Sequence, residues 1–315
     1  MKRYFPVMVV GLVLCTIAAV QYNAQSKTQY EMAAWGQLPP AVQQWGWTTS
    51  VASDHNGKVL VFRRADPPIL VFTSDGKFVR SFGNGLFKKP HSIDVDRNGF
   101  VWATDVEYNV VYKFSPDGAL LMTLGQKCVK GYNDSHEAFD GPNDVAIAPN
   151  GDIFVSDGDH NDRIVKFTKD GKFVKIIGGT RGSAAPGRFG PAGVTRPTEG
   201  IVHAIAFDSK GRLVTIDSYN PRIQFFDQDG KFIEQWTDLG MKKPCGLVLG
   251  PDDTIYVGDT DDNSVLIVKN KKVVNVIRQK DVRPHNIELD PSGNIYLADV
   301  GGTAESKVVR KIAKR

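Results

Sequence analysis

Short runs of apolar, often β-branched residues alternate with polar, glycine-containing turns along almost the whole chain. Apolar and polar positions that alternate with a period of two predict half-buried β-strands. Beyond the N-terminal segment, no stretch shows the sustained 3.6-residue periodicity of an amphipathic helix. The pattern therefore predicts an all-β protein and excludes a fold in which strands alternate with helices.

The turn glycines recur within six similar units, each of which reads as two strands around a polar turn. The units begin at residues 49, 91, 143, 203, 245 and 285, and three of them read HSIDVDRNGFVWATDV, HAIAFDSKGRLVTIDS and HNIELDPSGNIYLADV. Two more strands follow each unit, as in VVYKFSPDGALLMTLG. Four strands per unit, repeated at intervals of about 40–60 residues, predict the blades of a six-bladed β-propeller.

A ring of six blades must close, because two sheet edges would otherwise stay exposed to solvent. The last unit supplies only three strands and ends in SKVVRKIAK, whereas the segment YEMAAWG (30–36) resembles the outer strands KFVRSFG and ALLMTLG. We expect this N-terminal strand to complete the last blade of a propeller that spans residues 27–315. Insertions at 126–141 and 178–200 both lead into an inner strand, so they predict a site on that face.

Residues 1–24 have the layout of a secretory signal. Lys2 and Arg3 precede an apolar run that is too short for a comfortable membrane span, and polar residues follow it. The cleavage site is poor, because Ala24 is small but Tyr22 is not, so an uncleaved N-terminal anchor is the alternative. We expect a secreted or periplasmic protein that contacts a membrane only through such an anchor.

Composition narrows the range of partners. The formal net charge is only +4 and no basic block stands out, which disfavours nucleic acid. An apolar content of 41% is enough for a large core, and we expect a monomer. Once the signal is removed, only Cys128 and Cys245 remain, and free or buried thiols are favoured over a disulfide scaffold.

Three of the six histidines share one position of the repeat, the first residue of the inner strand. They are His91, His203 and His285, from the second, fourth and sixth units. The intervening units carry Thr49, Asn143 and Cys245 there. Alternate blades of a six-fold ring are about 120° apart, so three imidazoles would converge on the axis and form the protein half of a zinc site.

A simpler interpretation is that histidine is merely tolerated at a polar channel mouth, but strict alternation favours the metal. Cys245 shares the register and is either a further thiolate ligand or, as we favour, a small buried thiol. The remaining histidines, His55, His136 and His160, are expected in turns or loops.

These units, with a Pro-His pair before the second and sixth, resemble peptidyl-α-hydroxyglycine α-amidating lyase. That family is the lyase half of the peptidylglycine α-amidating enzyme and has an NHL-type propeller. The resemblance covers nearly all of residues 45–315 and is strongest in KPHSIDVDRNGFVWATDVEYNVVYKFSPDG, GPNDVAIAPNGDIFVSDGDHNDRIVKF and RPHNIELDPSGNIYLADV. It implies Zn²⁺ on the three histidines and cleavage of a small peptide that ends in α-hydroxyglycine, an α-hydroxylated amide.

The resemblance also implies two further features near the metal. The positions of a structural Ca²⁺ site correspond to Val51, Ile93 and Asn286, where a neutral amide replaces the acidic ligand and should weaken calcium binding. An active-site arginine corresponds to Arg64, although a solvated arginine at a strand end is an equally good interpretation.

Other family positions differ here. The tyrosine proposed as the base is Asp159, a second arginine is Ser218, and a methionine next to the last zinc ligand is Arg283. Two disulfide cysteines correspond to Asp140 and His160. We therefore regard Asp159 or Tyr219 as the base and Arg283 as a substitute for the lost positive charge.

Two other functions remain open. One is a non-catalytic propeller that binds a peptide or protein partner and keeps the metal for structure. The other is a lactonase-like hydrolase, which is disfavoured because such propellers hold calcium through acidic and amide side chains rather than histidines.

Overall fold

The computed structural model describes residues 30–179, 183–190, 202–301 and 308–314. They form six four-stranded antiparallel sheets, which confirms the six-bladed propeller. The predicted signal or anchor at 1–24 and the second half of the 178–200 insertion lie outside the described residues. Within the described ranges, no helix has the length and apolarity needed to cross a membrane.

Each blade runs from the axis outward through four strands. The inner strands are β2 (Thr48–Ser53), β6 (Pro90–Val95), β10 (Pro142–Ile147), β14 (Val202–Phe207), β18 (Pro244–Leu249) and β22 (Pro284–Leu289). The second strands are β3 (Lys58–Arg63), β7 (Val101–Asp105), β11 (Ile153–Asp157), β15 (Leu213–Asp217), β19 (Ile255–Asp259) and β23 (Ile295–Asp299).

The outer half of each blade is as regular as the inner half. The third strands are β4 (Ile69–Thr73), β8 (Val110–Phe114), β12 (Arg163–Phe167), β16 (Arg222–Phe226), β20 (Ser264–Lys269) and β24 (Val309–Lys314). The outermost strands are β5 (Phe78–Phe82), β9 (Leu120–Leu124), β13 (Phe173–Gly178), β17 (Phe232–Trp236), β21 (Lys272–Arg278) and, for the sixth blade, β1 (Tyr30–Ala34).

The N-terminal strand closes the ring, as the sequence predicts. β1 pairs antiparallel with β24, with Met32 opposite Ile312. The next residue after β1, Trp35, packs edge-on against Tyr296 of the same blade at 4.9 Å and Phe72 of the first blade at 5.6 Å. Its indole Nε1 donates a hydrogen bond to the Ser74 carbonyl, 3.2 Å away. Trp35 therefore joins the last blade to the first.

Apolar side chains fill the space between neighbouring blades. Between the first and second blades, Phe62, Ile69 and Phe114 are almost fully buried in one cluster. Burial of this kind, repeated around the ring, is the main stabilising contribution. Residues on the outer strands alternate between half-buried and exposed, so the structure's core lies nearer the axis.

Conserved chemistry of the repeat is visible where each second strand ends. Five blades have a buried aspartate there, and in four of them it accepts hydrogen bonds from backbone amides; Asp105, for example, accepts them from Lys88 and Lys89. The first blade has Arg63 instead, which donates to nearby carbonyls such as those of Gln44 and Asp66. Both the aspartate, as an acceptor, and the arginine, as a donor, hold the backbone next to the blade through hydrogen bonds.

Replacing Trp35 by alanine should destabilise the closed ring. Loss of a buried indole and the cavity that it leaves should lower the free energy of unfolding by about 3–5 kcal/mol. The exposed Trp47 is the matched control, and Trp47→Ala should lower the free energy of unfolding by about 1 kcal/mol or less. Urea unfolding followed by circular dichroism measures both, and equal losses would contradict the closure described here.

Candidate metal centre

The three predicted histidines meet at the propeller axis. Ring centroids of His91, His203 and His285 are 4.9 Å, 5.0 Å and 5.0 Å apart. One ring nitrogen from each lies within 4.8 Å of those of the other two. His91 is buried, and the other two are partly exposed. A space of about 10 Å³ adjoins the rings, about the minimum that one water or ion needs.

Each imidazole is oriented by the neighbouring blade. The Nδ1 atoms of the three histidines lie 2.8 Å, 2.9 Å and 2.8 Å from the backbone carbonyls of Asn143, Cys245 and Thr49, respectively. A carbonyl only accepts, so Nδ1 carries the proton and donates. The lone pair is then on Nε2, which is the tautomer that a metal requires. The residues therefore fit Zn²⁺.

A β-bulge at the start of every inner strand allows the histidines and the carbonyls to meet. In β6, the paired residues pass from Pro90 to Ile93, so that His91 is left out of the ladder. In β10 they pass from Pro142 to Asp144, which leaves out Asn143. An unpaired bulge residue can turn its side chain toward the axis or leave its carbonyl free. Even-numbered blades use the first option and odd-numbered blades supply the carbonyl.

Burial and neighbouring charges keep His91 and His285 neutral. Burial lowers the pKa of His91 well below its usual range, and the charges of His203, His285 and Arg64 lower it further. Burial likewise lowers the pKa of His285 to about 3. Neutral imidazoles are the form that binds metal.

Arg64 lies at the rim of the triad, where the resemblance places an active-site arginine. Its Nε donates to the Pro90 carbonyl at 3.1 Å, and its guanidinium lies 5.3 Å from the centroid of the Trp47 ring. Burial lowers the pKa of Arg64, and the charge of Asp159 is the largest opposing influence. Arg64 in the first blade and Asp159 in the third are therefore close enough for their charges to interact.

Asp159 is connected to the triad through Asn143. The Asn143 Nδ2 donates to Asp159 Oδ1 at 3.3 Å, while the carbonyl of the same residue orients His91. Next to it, His160 Nδ1 lies 3.3 Å from Asp140 Oδ1. The two positions that match family cysteines are thus in contact, joined here by a polar pair instead of a disulfide. Cys128 is exposed and Cys245 is buried, and both thiols are free.

The remaining predicted site residues make contacts of their own. The Tyr219 ring packs against the apolar cluster between the third and fourth blades. Ser218 is buried and its hydroxyl donates to the Pro244 carbonyl at 2.6 Å. The Arg283 guanidinium is paired with Asp261 at 2.7 Å and is about half exposed. The ion pair with Asp261 occupies the guanidinium of Arg283, the group that we expected to replace the lost arginine.

Below the triad, the channel widens into a cavity of about 370 Å³. Val51, Ile93 and Asn286, the three expected calcium positions, all line it. The Asn286 Oδ1 accepts a hydrogen bond from the Val51 amide at 3.0 Å. Calcium at this place stays a prediction, since that amide oxygen already has a donor.

Two features of the site were missed from the sequence. Asn143 connects Asp159 with His91, and Lys243 extends over the Tyr219 ring with its Nζ 4.9 Å from the ring centroid. A signal for Lys243 exists: Lys89, Lys243 and Arg283 occupy one repeat position, each before the proline that opens an inner strand.

Comparison with known proteins agrees with this architecture. A profile of the NHL repeat matches residues 139–167, which include β10, β11 and β12. Human NHL repeat-containing protein 3 is 31% identical over 289 residues, which cover 84% of this chain and 80% of that protein. The chain belongs to the NHL repeat family.

Other matches place this NHL repeat protein near amidating lyases. Peptidyl-alpha-hydroxyglycine alpha-amidating lyase 1 of Drosophila melanogaster is 27% identical over 326 residues. That alignment covers 85% of this chain but only 58% of the fly protein. Among solved structures, the WD40 β-propeller domain of Doa1 matches with a TM-score of 0.60 and 13% identity over 91% of this chain, a likeness of fold alone.

The cavity below the triad gives a pH-dependent prediction. Burial, with the nearby charge of Asp144, raises the pKa of Asp94 from 3.8 to about 7. The folded protein therefore keeps a proton that the unfolded chain releases, so this carboxyl contributes stability below about pH 4 that is lost as the pH rises toward 7. The difference in free energy of unfolding between Asp94→Asn and the parent protein should therefore rise by roughly 1–3 kcal/mol, in favour of the variant, from pH 5 to pH 8.

Urea unfolding at the two pH values, with a chelator present, measures this difference. The exposed turn residue Asp170 provides the control, since Asp170→Asn makes the same chemical change outside the cavity. An advantage of Asp94→Asn that is the same at pH 5 and pH 8 would contradict the assignment.

Proposed function

We propose that this NHL propeller is an exported zinc-dependent lyase that acts on α-hydroxylated amides with a carboxylate, with peptidyl-α-hydroxyglycine as the model substrate. The observation that carries the proposal is the histidine triad, whose Nδ1 atoms are all tied to backbone carbonyls and whose Nε2 atoms are left for a metal. The similarity to a named amidating lyase over most of the chain supports the reaction class.

His91, His203 and His285 would hold the zinc ion, which when bound supplies Lewis acidity that lowers the pKa of a hydroxyl. The chain's own groups do the rest. Arg64 binds the substrate carboxylate and thereby orients the carbinol carbon toward the triad. The Asp159 carboxylate, held by the Asn143 amide, accepts the hydroxyl proton.

The bonds then rearrange in a balanced way. The oxygen that has lost its proton forms the carbonyl of glyoxylate, the bond between carbon and the amide nitrogen breaks, and that nitrogen takes up one proton. The products are a peptide amide and glyoxylate, and no oxidant or reductant is consumed. Asp159 is the better base than Tyr219, because it is joined to the triad through Asn143.

Location and partners belong to the same proposal. Residues 1–24 would direct export of a monomer, and calcium, if bound, would occupy the cavity lined by Asn286. β1 runs antiparallel to the inner strand of its blade, so Tyr30 enters at the face opposite the triad.

A non-catalytic role is the second candidate. It is favoured by the loss of the family tyrosine at Asp159 and by the buried Ser218 in place of an arginine. In that case zinc would stabilise the fold, and a peptide or protein partner would bind without being changed.

A glyoxylate assay separates the two candidates. Zinc-loaded protein should release glyoxylate from a peptide that ends in α-hydroxyglycine, and Asp159→Asn should lower kcat by about 10²–10⁴. His203→Ala should lose both zinc and turnover. His136→Gln is the matched control, because His136 stacks on Phe173 at 4.0 Å and is not part of the ligand set found among the described residues.

The non-catalytic binding role predicts the opposite result, a folded zinc protein without turnover. No glyoxylate at high enzyme concentration, from folded protein that holds one zinc per chain, would overturn the lyase proposal. A lower unfolding temperature of His203→Ala with no turnover to lose would then support the structural metal.

A further inference from the structure

We propose that Asp144 is a positioning residue of the metal centre, whose carboxylate joins the two strands that carry His91 and His203 and so fixes the spacing of these ligands. The inference rests on the proposed zinc site, because it assigns a further residue to the same metal. Asp144 acts through the histidines and not as a ligand, so its effect is on the affinity of the site for the metal.

Directly below the triad, the inner strands present a second ring of residues, each one position after the bulge residue. We call this ring the second layer, and its members are Ser50, Ser92, Asp144, Ala204, Gly246 and Asn286. Three of them, Ser92, Asp144 and Asn286, border both the space beside the triad and the cavity below it. The second layer therefore lies between the metal centre and the lower cavity.

Asp144 is buried, and its two carboxylate oxygens accept hydrogen bonds from the two neighbouring blades. Oδ1 accepts from the Ser92 hydroxyl at 2.7 Å, and Oδ2 accepts from the Ile205 backbone amide at 2.9 Å. Ser92 directly follows His91, and Ile205 is two residues after His203. One side chain of the third blade thus connects the second blade with the fourth, close to both ligands.

The backbone just before Asp144 belongs to the same arrangement. The carbonyl of Asn143 lies 2.8 Å from the His91 Nδ1 and also accepts a hydrogen bond from the Thr104 hydroxyl at 3.0 Å. A shift of Asp144 would therefore move the carbonyl that orients His91 as well as the strand that carries His203.

The other members of the second layer, all of them within the described ranges, do not bond to the blades on both of their sides through their side chains. Ser50 and Asn286 each accept from a backbone amide of one neighbouring blade, at 3.1 Å and 3.0 Å. Ala204 and Gly246 have no polar side-chain group. Among the described residues, the side-chain bonds of this layer therefore reach the strand of His203 from the third blade alone.

The experiment measures the Kd of zinc, by competition with a chromophoric chelator, in the full-length protein with Asp144→Ala, Asp144→Asn or Asp94→Ala. Asp144→Asn retains both bonds, because an amide oxygen accepts from Ile205 and an amide nitrogen donates to the Ser92 hydroxyl. Asp94→Ala is the matched control, since Asp94 lines the same cavity but its carboxylate accepts from Val95 of its own strand. The visible absorption spectrum of bound Co²⁺ reports the ligand geometry.

We expect Asp144→Ala to weaken zinc binding by about ten- to a hundredfold, the usual effect of losing a partner that orients metal ligands. The Co²⁺ spectrum should change with it. Asp144→Asn and Asp94→Ala should stay within about twofold of the parent, which is less than one hydrogen bond contributes. Ser92→Ala removes one of the two bonds and should weaken zinc binding by about three- to tenfold, which decides the question if Asp144→Ala does not fold.

Every other outcome overturns a definite statement. Unchanged zinc affinity in Asp144→Ala, or in Ser92→Ala when the former does not fold, would refute the role of Asp144. Equal losses in Asp144→Ala and Asp144→Asn would also refute it, because the negative charge and not the bonded bridge would then cause the effect. Equal losses in Asp144→Ala and Asp94→Ala would refute it as a general effect of the cavity.

Failure of the zinc site and failure of the lyase proposal are distinguishable in this experiment. A parent protein that binds no zinc would overturn both the zinc site and the role of Asp144. A parent protein that binds zinc but releases no glyoxylate would overturn only the lyase proposal, and the comparison of zinc affinities would still test Asp144.

Discussion

Three hydrogen bonds between imidazole Nδ1 atoms and backbone carbonyls govern the centre of this propeller. They run from His91, His203 and His285 to the blades between them, so each ligand is held by its neighbour and not by its own strand. The same bulge that turns three side chains inward leaves three carbonyls free to accept. Ring closure by β1 matters for the site, because a shift of one blade would move both a ligand and a carbonyl.

Repeat period and turn chemistry made most of the fold predictable. The six units, the three-stranded last unit and the resemblance of residues 30–36 to outer strands gave the blade number and the closure, and all three are confirmed. Alternate placement of histidine in the repeat predicted the triad, because six-fold symmetry turns a sequence register into a position in space. The symmetry of the ring is the reason why residues far apart in the sequence could be predicted to lie close together.

Features that break the symmetry could not be predicted in this way. The pairing of Arg283 with Asp261 and the course of Lys243 over Tyr219 depend on side-chain torsions and on loops that differ between blades. The bulge was also missed, since a register shift of one residue leaves no mark in the apolar pattern at a strand end. Sequence reasoning therefore found the ligands but not what orients them.

Membership of the NHL repeat family establishes the scaffold, whereas the proposed chemistry resides in a few groups at one mouth of the channel. In that proposal, the neutral histidines, the carboxylate of Asp159 and the guanidinium of Arg64 suit a substrate that carries a hydroxyl and a carboxylate. Asp159 stands where the resemblance places a tyrosine base, and Ser218 stands where it places an arginine. They leave the metal ligands and their carbonyl partners intact.

X-ray absorption spectroscopy of the zinc-loaded protein tests the triad most directly. Three nitrogen ligands at about 2.0–2.1 Å with imidazole outer-shell scattering, lost in His203→Ala, are predicted, with the remaining position taken by oxygen. A sulfur ligand at about 2.3 Å would show that the buried thiol of Cys245 binds the metal instead. That result, or the absence of bound zinc, would contradict the account.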